Sequence, residues 1–158
     1  MDCLLAVCQG PAYVKLYPII ICALFTGMRQ GEILRLDWKN IDLEHGTIYI
    51  LISKSGKPRE VPIAARLKEI MLNIRPKLEG KVFEITHITL RRLFARLKAE
   101  SGIPYFRFHD LRHTFASHFY MKTMDLYALQ KLLGRFSADD TALCPSVERP
   151  HKCHHDGL

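Results

Sequence analysis

Near the start of the chain stands a block of apolar residues that has no polar side. From Leu16 to Phe25 every face of a helical wheel is hydrophobic, and Thr26-Gly27 follows, which predicts a buried helix stopped by a glycine cap. The pattern then becomes one-sided. Over Arg29–Leu36, Ile33, Leu34 and Leu36 point toward a core while Arg29 and Glu32, three positions apart, share another face. Arg29 is thereby placed at a helix start. Two β-type runs come next, Thr47–Ile52 and Arg59–Ile63, joined by Ser53-Lys54-Ser55-Gly56-Lys57-Pro58. Gly56 and Pro58 are turn residues, so a basic hairpin with lysines near its tip is expected. Amphipathic helices are predicted over Ala64–Ile74 and Thr89–Glu100. After the turn Ser101-Gly102-Ile103-Pro104, two more follow, about His109–Tyr120 and Asp125–Leu133. No internal repeat is present. From Arg135 onward the periodicity fades, and His151, Lys152, Cys153, His154, His155 and Asp156 accumulate in a way no earlier element prepares.

At 158 residues, with 48% apolar and 25% charged residues, the chain has the size and composition of one packed domain. A net charge of +7 favours a polyanionic partner. The five cysteines, Cys3, Cys8, Cys22, Cys144 and Cys153, contain no CxxC pair, which argues against a disulfide framework or a cysteine-based zinc module and for a reducing compartment. The longest apolar run, Pro18–Phe25, is far shorter than the roughly 20 residues a membrane span needs. No charged-then-apolar leader precedes it. A cytoplasmic protein without membrane contact is expected.

Charge placement sharpens this picture. The helix Thr89–Glu100 carries Arg91, Arg92, Arg96 and Lys98 beside Leu90, Leu93, Phe94 and Leu97; the plain reading of its basic side is a solvated face, the alternative a phosphate-binding one. Arg29 and Arg112 are planar forks of charged donors that come from two different helices and are suited to a bidentate grip on one phosphate. Phosphoryl transfer mainly requires positioning and stabilisation of spread negative charge, which such a clamp supplies, so no metal or other cofactor is needed. His109 lies three positions before Arg112 and four before His113, so a helix turns all three toward one side, with His109 near its start. There it can hydrogen-bond or shuttle a proton.

Three separated pieces then act together: Thr26-Gly27-Met28-Arg29-Gln30-Gly31-Glu32-Ile33-Leu34; Ser53-Lys54-Ser55-Gly56-Lys57; and His109-Asp110-Leu111-Arg112-His113-Thr114-Phe115-Ala116-Ser117. In order and spacing this set resembles the catalytic domain of the tyrosine recombinases, the phage integrase family, and the resemblance runs from about Leu4 to Gly134. It implies a mainly α fold with a small antiparallel β-sheet. It implies site-specific recombination or integration of DNA, in which one strand is cut through a 3′-phosphotyrosine and rejoined to another without ATP or metal. By the same resemblance His109 contacts the phosphate, and His113 is structural. Lys54 is the implied general acid for the departing 5′ oxygen, a task typically worth about 100- to 10,000-fold in rate. Lys57 is the rival for that role, although it lies deeper in the turn and could simply bind backbone phosphate. Glu32 would support the site by pairing with a nearby cation and holding an arginine rotamer. The implied partners are double-stranded DNA and further recombinase protomers on it.

The pattern fails at the end. The family expects Leu-Gly-His, or Trp in place of His, then Thr-x-x-Tyr-x-His with the nucleophilic tyrosine nine positions after that His or Trp; here the chain reads Leu133-Gly134-Arg135, and Cys144 stands nine positions on. Tyr120 and Tyr127 read as packing residues, not substitutes. A shifted reading frame accounts for the loss more simply than a new chemistry. One permitted codon choice for Arg135–Arg149, read one nucleotide later, spells Thr-Leu-Arg-Tyr-Ala-His. Loss of two nucleotides within a Gly-His-Asp stretch would restore the missing His and place the tyrosine at position 144. The expected organisation is therefore a catalytic domain over 1–134 without the separate DNA-binding domain that usually precedes it, and an out-of-frame tail over 135–158. The His- and Cys-bearing end of that tail could take up zinc or nickel adventitiously, but no functional metal site is expected. Two other readings stay open: a catalytically dead DNA-binding remnant of an integrase, and a helical domain whose arginines serve packing alone.

Overall fold

The computed structural model describes residues 2–51, 58–74 and 76–134. Lys54, Lys57, Arg135 and Cys144 lie outside the described residues, as do the hairpin tip and the tail. Among the described residues the order is α1 (Asp2–Cys8), α2 (Tyr17–Thr26), α3 (Gln30–Leu34), β1 (Ile41–Asp42), β2 (Thr47–Ile50), β3 (Arg59–Pro62), α4 (Ala65–Asn73), α5 (His87–Glu100), α6 (Phe108–Thr123) and α7 (Leu126–Leu133). The strands form one antiparallel sheet in the order β1-β2-β3. The fold is mainly helical with a small antiparallel sheet, as expected.

The all-apolar block becomes α2 at the centre of the core, with Ile19, Ile20, Ile21 and Cys22 at 0% exposure; Tyr17, Pro18 and Leu24 are half-buried, and Phe25, at 36%, is the most exposed. Tyr17 and Pro18 open the helix where a missing N–H costs nothing. Gly27 closes it in the left-handed region at φ +62°, its N–H donating to the Ala23 carbonyl at 3.0 Å. α2 packs along α6 and α4, and the rings of Phe94, Phe106 and Phe108 join α5 to the start of α6. A smaller apolar cluster, Ala116, Leu129 and Leu133 with Phe115, Phe119 and Tyr120 against it, fastens α7 onto α6.

Several elements depart from the sequence reading. β1 was not anticipated, because two residues pairing Ile41 with Ile48 and Asp42 with Thr47 are too few to show an alternating pattern. α3 is shorter than Arg29–Leu36: Arg29 is its N-cap, and Leu34 is only half-buried while Ile33 and Leu36 are buried. α5 begins two residues before Thr89, because the Thr86 hydroxyl accepts the Thr89 N–H at 3.2 Å and sets the start of the helix. Tyr120 does pack, half-buried against the α6–α7 cluster. Tyr127 does not. It is 70% exposed, since the apolar stripe of α7 runs through Leu129 and Leu133 and leaves position 127 on the opposite side. No helix among the described residues is long and apolar enough to cross a membrane.

Candidate active site

The site is built around the turn between α2 and α3. Arg29 holds extended backbone at φ −70° and ψ 148°, so its N–H is not used by the helix it precedes. That N–H donates to Glu32 Oε2 at 2.8 Å, and the Arg29 Nη1 donates to Glu32 Oε1 at 3.3 Å. The Arg29 side chain stays a quarter exposed, at 25%, with Glu32 at 3% beneath it. One face of the guanidinium is thus pinned while the rest looks outward.

Glu32 has a second and closer partner. Arg59, the first residue of β3, donates Nη1 to Oε1 at 3.0 Å and Nη2 to Oε2 at 2.7 Å, a fork-on-carboxylate pair with both side chains almost wholly buried. Burial by itself pushes the Glu32 carboxyl up, but the Arg59 fork, the Arg29 N–H and the two positive charges outweigh it and hold its pKa below the ordinary value. Glu32 is therefore an anion, shared between Arg29 and Arg59. Arg59 also donates Nε to the Leu132 carbonyl at 2.8 Å, reaching the last turn of α7.

Arg112, on α6, completes the arrangement from the other side. It is 7% exposed, and its Nη1 donates to the Gly27 carbonyl at 2.6 Å while its Nη2 donates to the Leu133 carbonyl at 2.8 Å. One guanidinium therefore ties α6 both to the turn that carries Arg29 and to the end of α7. Cations at Leu132 and Leu133 also complement the negative end of the α7 dipole. The turn can approach α6 this closely only because residue 27 is glycine: a Cβ there would lie 2.3 Å from Phe115 Cδ1.

His109 sits one turn before Arg112 with its ring largely exposed and edge-on to His113, the centroids 4.7 Å apart at 89°. Loss of hydration on the inner side of the ring, together with His113 and the Arg112 charge, holds the His109 pKa below that of a free histidine. The ring is accordingly neutral near pH 7 and offers one N–H to an incoming anion. Asp110 caps the same helix by accepting the Arg107 N–H at 2.8 Å.

Of the residues singled out in the sequence, Arg29, Glu32 and Arg112 are linked through the α2–α3 turn, and His109 adjoins them on α6. The basic side of α5 is partly spoken for: Arg96 pairs with Glu100 at 2.7 Å and Lys98 donates to the Pro104 carbonyl at 2.8 Å, leaving Arg91 and Arg92 exposed. Arg59 was overlooked in the sequence. The signal was present, because Arg59 alternates in phase with buried Val61 and lies opposite buried Ile50, and a cation at an inward strand position requires a buried acid. A separate cavity of about 700 Å³, between the end of α1, the end of α4 and residues 81–85, includes none of these groups.

A mainly helical domain with this small sheet, and with arginines delivered by TGxRxxE and HxxRH segments, is the catalytic domain of a tyrosine recombinase. The chain belongs to the phage integrase family, whose model matches residues 1–142. It is 38% identical over 107 residues to a shufflon-specific DNA recombinase of Escherichia coli, covering 68% of this chain and 28% of that protein. It is 37% identical over 118 residues to the tyrosine recombinase XerA of Saccharolobus solfataricus, covering 73% of this chain and 40% of that one. The chain thus spans well under half the length of these relatives. Among solved structures it resembles the catalytic domain of bacteriophage HP1 integrase, at 31% identity and a TM-score of 0.67, over 87% of this chain and 78% of that one. The fold is also that of XerH site-specific recombinase bound to its difH substrate, at 24% identity and a TM-score of 0.74, over 94% of this chain and 49% of that one.

Proposed function

We propose that this domain binds double-stranded DNA and is built to hold one scissile phosphate for site-specific cleavage and rejoining through a 3′-phosphotyrosine. Arg29 and Arg112 clamp the phosphate oxygens, and neutral His109 adds a hydrogen bond. Lys54, from the hairpin, protonates the departing 5′ oxygen, and Glu32 holds Arg29. The observation that carries this reading is the bond from Arg112 to the Gly27 carbonyl, which joins two motifs 85 positions apart at one turn. Relatives whose names are those of DNA recombinases support the substrate class. Such a protein works where the genome is, in the cytoplasm of its host, with further protomers on the same DNA.

The chain as given stops before cleavage on this reading, because Cys144 stands at the position of the nucleophilic tyrosine and Arg135 at that of its His or Trp. Residues 1–134 are the catalytic domain and 135–158 an out-of-frame tail. The same substitution favours a second reading, a remnant that occupies DNA without chemistry. Both require phosphate contacts, which release counterions. Duplex affinity is accordingly expected to fall steeply with salt, and Arg29→Ala to reduce the slope of log K against log salt by about 1. Fluorescence anisotropy over a salt series measures this. Affinity independent of salt, or a slope untouched by Arg29→Ala, would remove DNA phosphate from the function of the site.

A further inference from the structure

The buried Glu32–Arg59 pair is more than a structural tie, because the third donor of the same guanidinium leaves the pair and holds a different element. We propose that Arg59 is a positioning residue that couples the end of α7 to Arg29, so that a displacement of the last turn of α7 is sensed at the partly exposed arginine of the site. This rests on the phosphate-clamp reading for its functional meaning, though not for its geometry.

Three contacts define the relay. Arg59 Nε donates to the Leu132 carbonyl at 2.8 Å, its Nη1 and Nη2 grip both oxygens of Glu32 at 3.0 and 2.7 Å, and Glu32 in turn accepts the backbone N–H and the Nη1 of Arg29 at 2.8 and 3.3 Å. The fork is planar, so its donors cannot turn independently. A displacement at Leu132 must therefore be taken up at Glu32, and from there at Arg29. Gly134 seals the relay from the α7 side. It caps the helix at φ +65°, and a Cβ on it would lie 3.0 Å from Arg59 Nη1 and 3.1 Å from Arg59 Cδ. The α7 cap thus lies against Arg59 with no room for a side chain at position 134. Nε, Nη1 and Nη2 of Arg59 are each committed to Leu132 or Glu32, so Arg59 acts through Arg29.

The test uses the whole chain with ¹⁵N-labelled arginine. Gly134→Ala pushes on the Arg59 guanidinium, and the Nε–Hε resonance of Arg29 is expected to move with that of Arg59. In an Arg59→Lys background, which keeps the charge but loses the fork, Gly134→Ala is expected to leave Arg29 in place. Arg59→Lys is also expected to weaken duplex DNA binding about five-fold, the equivalent of roughly one hydrogen bond, and to have no effect when Arg29 is already alanine. Arg29 unmoved by Gly134→Ala overturns the proposal, as does an Arg59→Lys loss that is additive with Arg29→Ala. If Arg59→Lys does not fold, the native chain decides: Arg29 moving with Arg59 while Arg112, which bonds the Leu133 and Gly27 carbonyls, stays in place supports the relay, and Arg29 moving with Arg112 instead overturns it. Should Arg29→Ala alone leave DNA affinity unchanged, the phosphate-clamp reading is at fault, while the resonance shift continues to report the relay.

Discussion

Gly27→Ala is expected to lower the melting temperature by about 10 °C. Two costs add. An alanine at φ +62° occupies the left-handed region, at roughly 1 kcal/mol. Its Cβ would stand 2.3 Å from Phe115 Cδ1 and 3.0 Å from Leu133 Cδ2, an overpacking of the kind that costs about 1–3 kcal/mol. Together they amount to about 3 kcal/mol, which for a domain of this size corresponds to roughly that fall in Tm. The site should suffer beyond stability, because Phe115 lies one turn after Arg112 and the Leu133 carbonyl is one of the acceptors of Arg112. Circular dichroism melts with Gly102→Ala as the control separate the two costs. Gly102 also has positive φ, at +70°, but nothing lies within 4 Å of its Cβ position, so only the backbone cost applies. Equal losses in the two variants would contradict the close packing of the α2–α3 turn against α6.

Arg112→Lys, placed in a chain whose tail after Gly134 carries the restored Thr-x-x-Tyr-x-His reading, is expected to slow strand cleavage by about 100- to 1,000-fold. Lysine keeps the charge but is a single point donor, so it cannot hold the Gly27 and Leu133 carbonyls together and still present a planar fork to a phosphate. The loss is expected in the rate of adduct formation more than in duplex affinity, because other cations continue to bind backbone phosphate. Single-turnover kinetics on a nicked substrate, with affinity measured in parallel, check this. An unchanged cleavage rate would show that Arg112 serves packing alone.

The elements that carry the site were legible where a local rule sufficed. The all-apolar run with a glycine stop marked α2, and the position of Arg29 directly after that stop made it a helix-start residue. The i, i+3 relation of Arg29 and Glu32 announced their contact. What escaped were features decided by tertiary packing. Arg59 is an ordinary strand residue until Glu32, 27 positions earlier, is brought beneath it. β1 exists because β2 offers it two partners, not because Ile41 and Asp42 prefer to be extended. Tyr127 read as a packing residue because aromatics usually are, yet the face of α7 that meets α6 was already filled by Leu129 and Leu133. The linkage of Arg112 to both α7 and the α2–α3 turn could not be read from a helix that shows only its own periodicity. The roles of Lys54 and His109 rest on motif order and chemistry.

On the proposed reading Arg29, Lys54, His109 and Arg112 form a phosphate site that becomes competent once the tyrosine expected at Cys144 and the His or Trp expected at Arg135 are restored. Covalent trapping on nicked suicide DNA drawn from the sequence flanking the gene for this chain tests it most directly, comparing the chain as given with one whose residues after Gly134 follow the restored reading. The expected result is a covalent protein–DNA adduct from the restored chain alone. An adduct from the chain as given would contradict the shifted-frame reading and send the search for the attacking residue to Tyr120, Tyr127, Cys144 or a partner chain, and no adduct from a folded, DNA-bound restored chain would contradict the competence of the site itself.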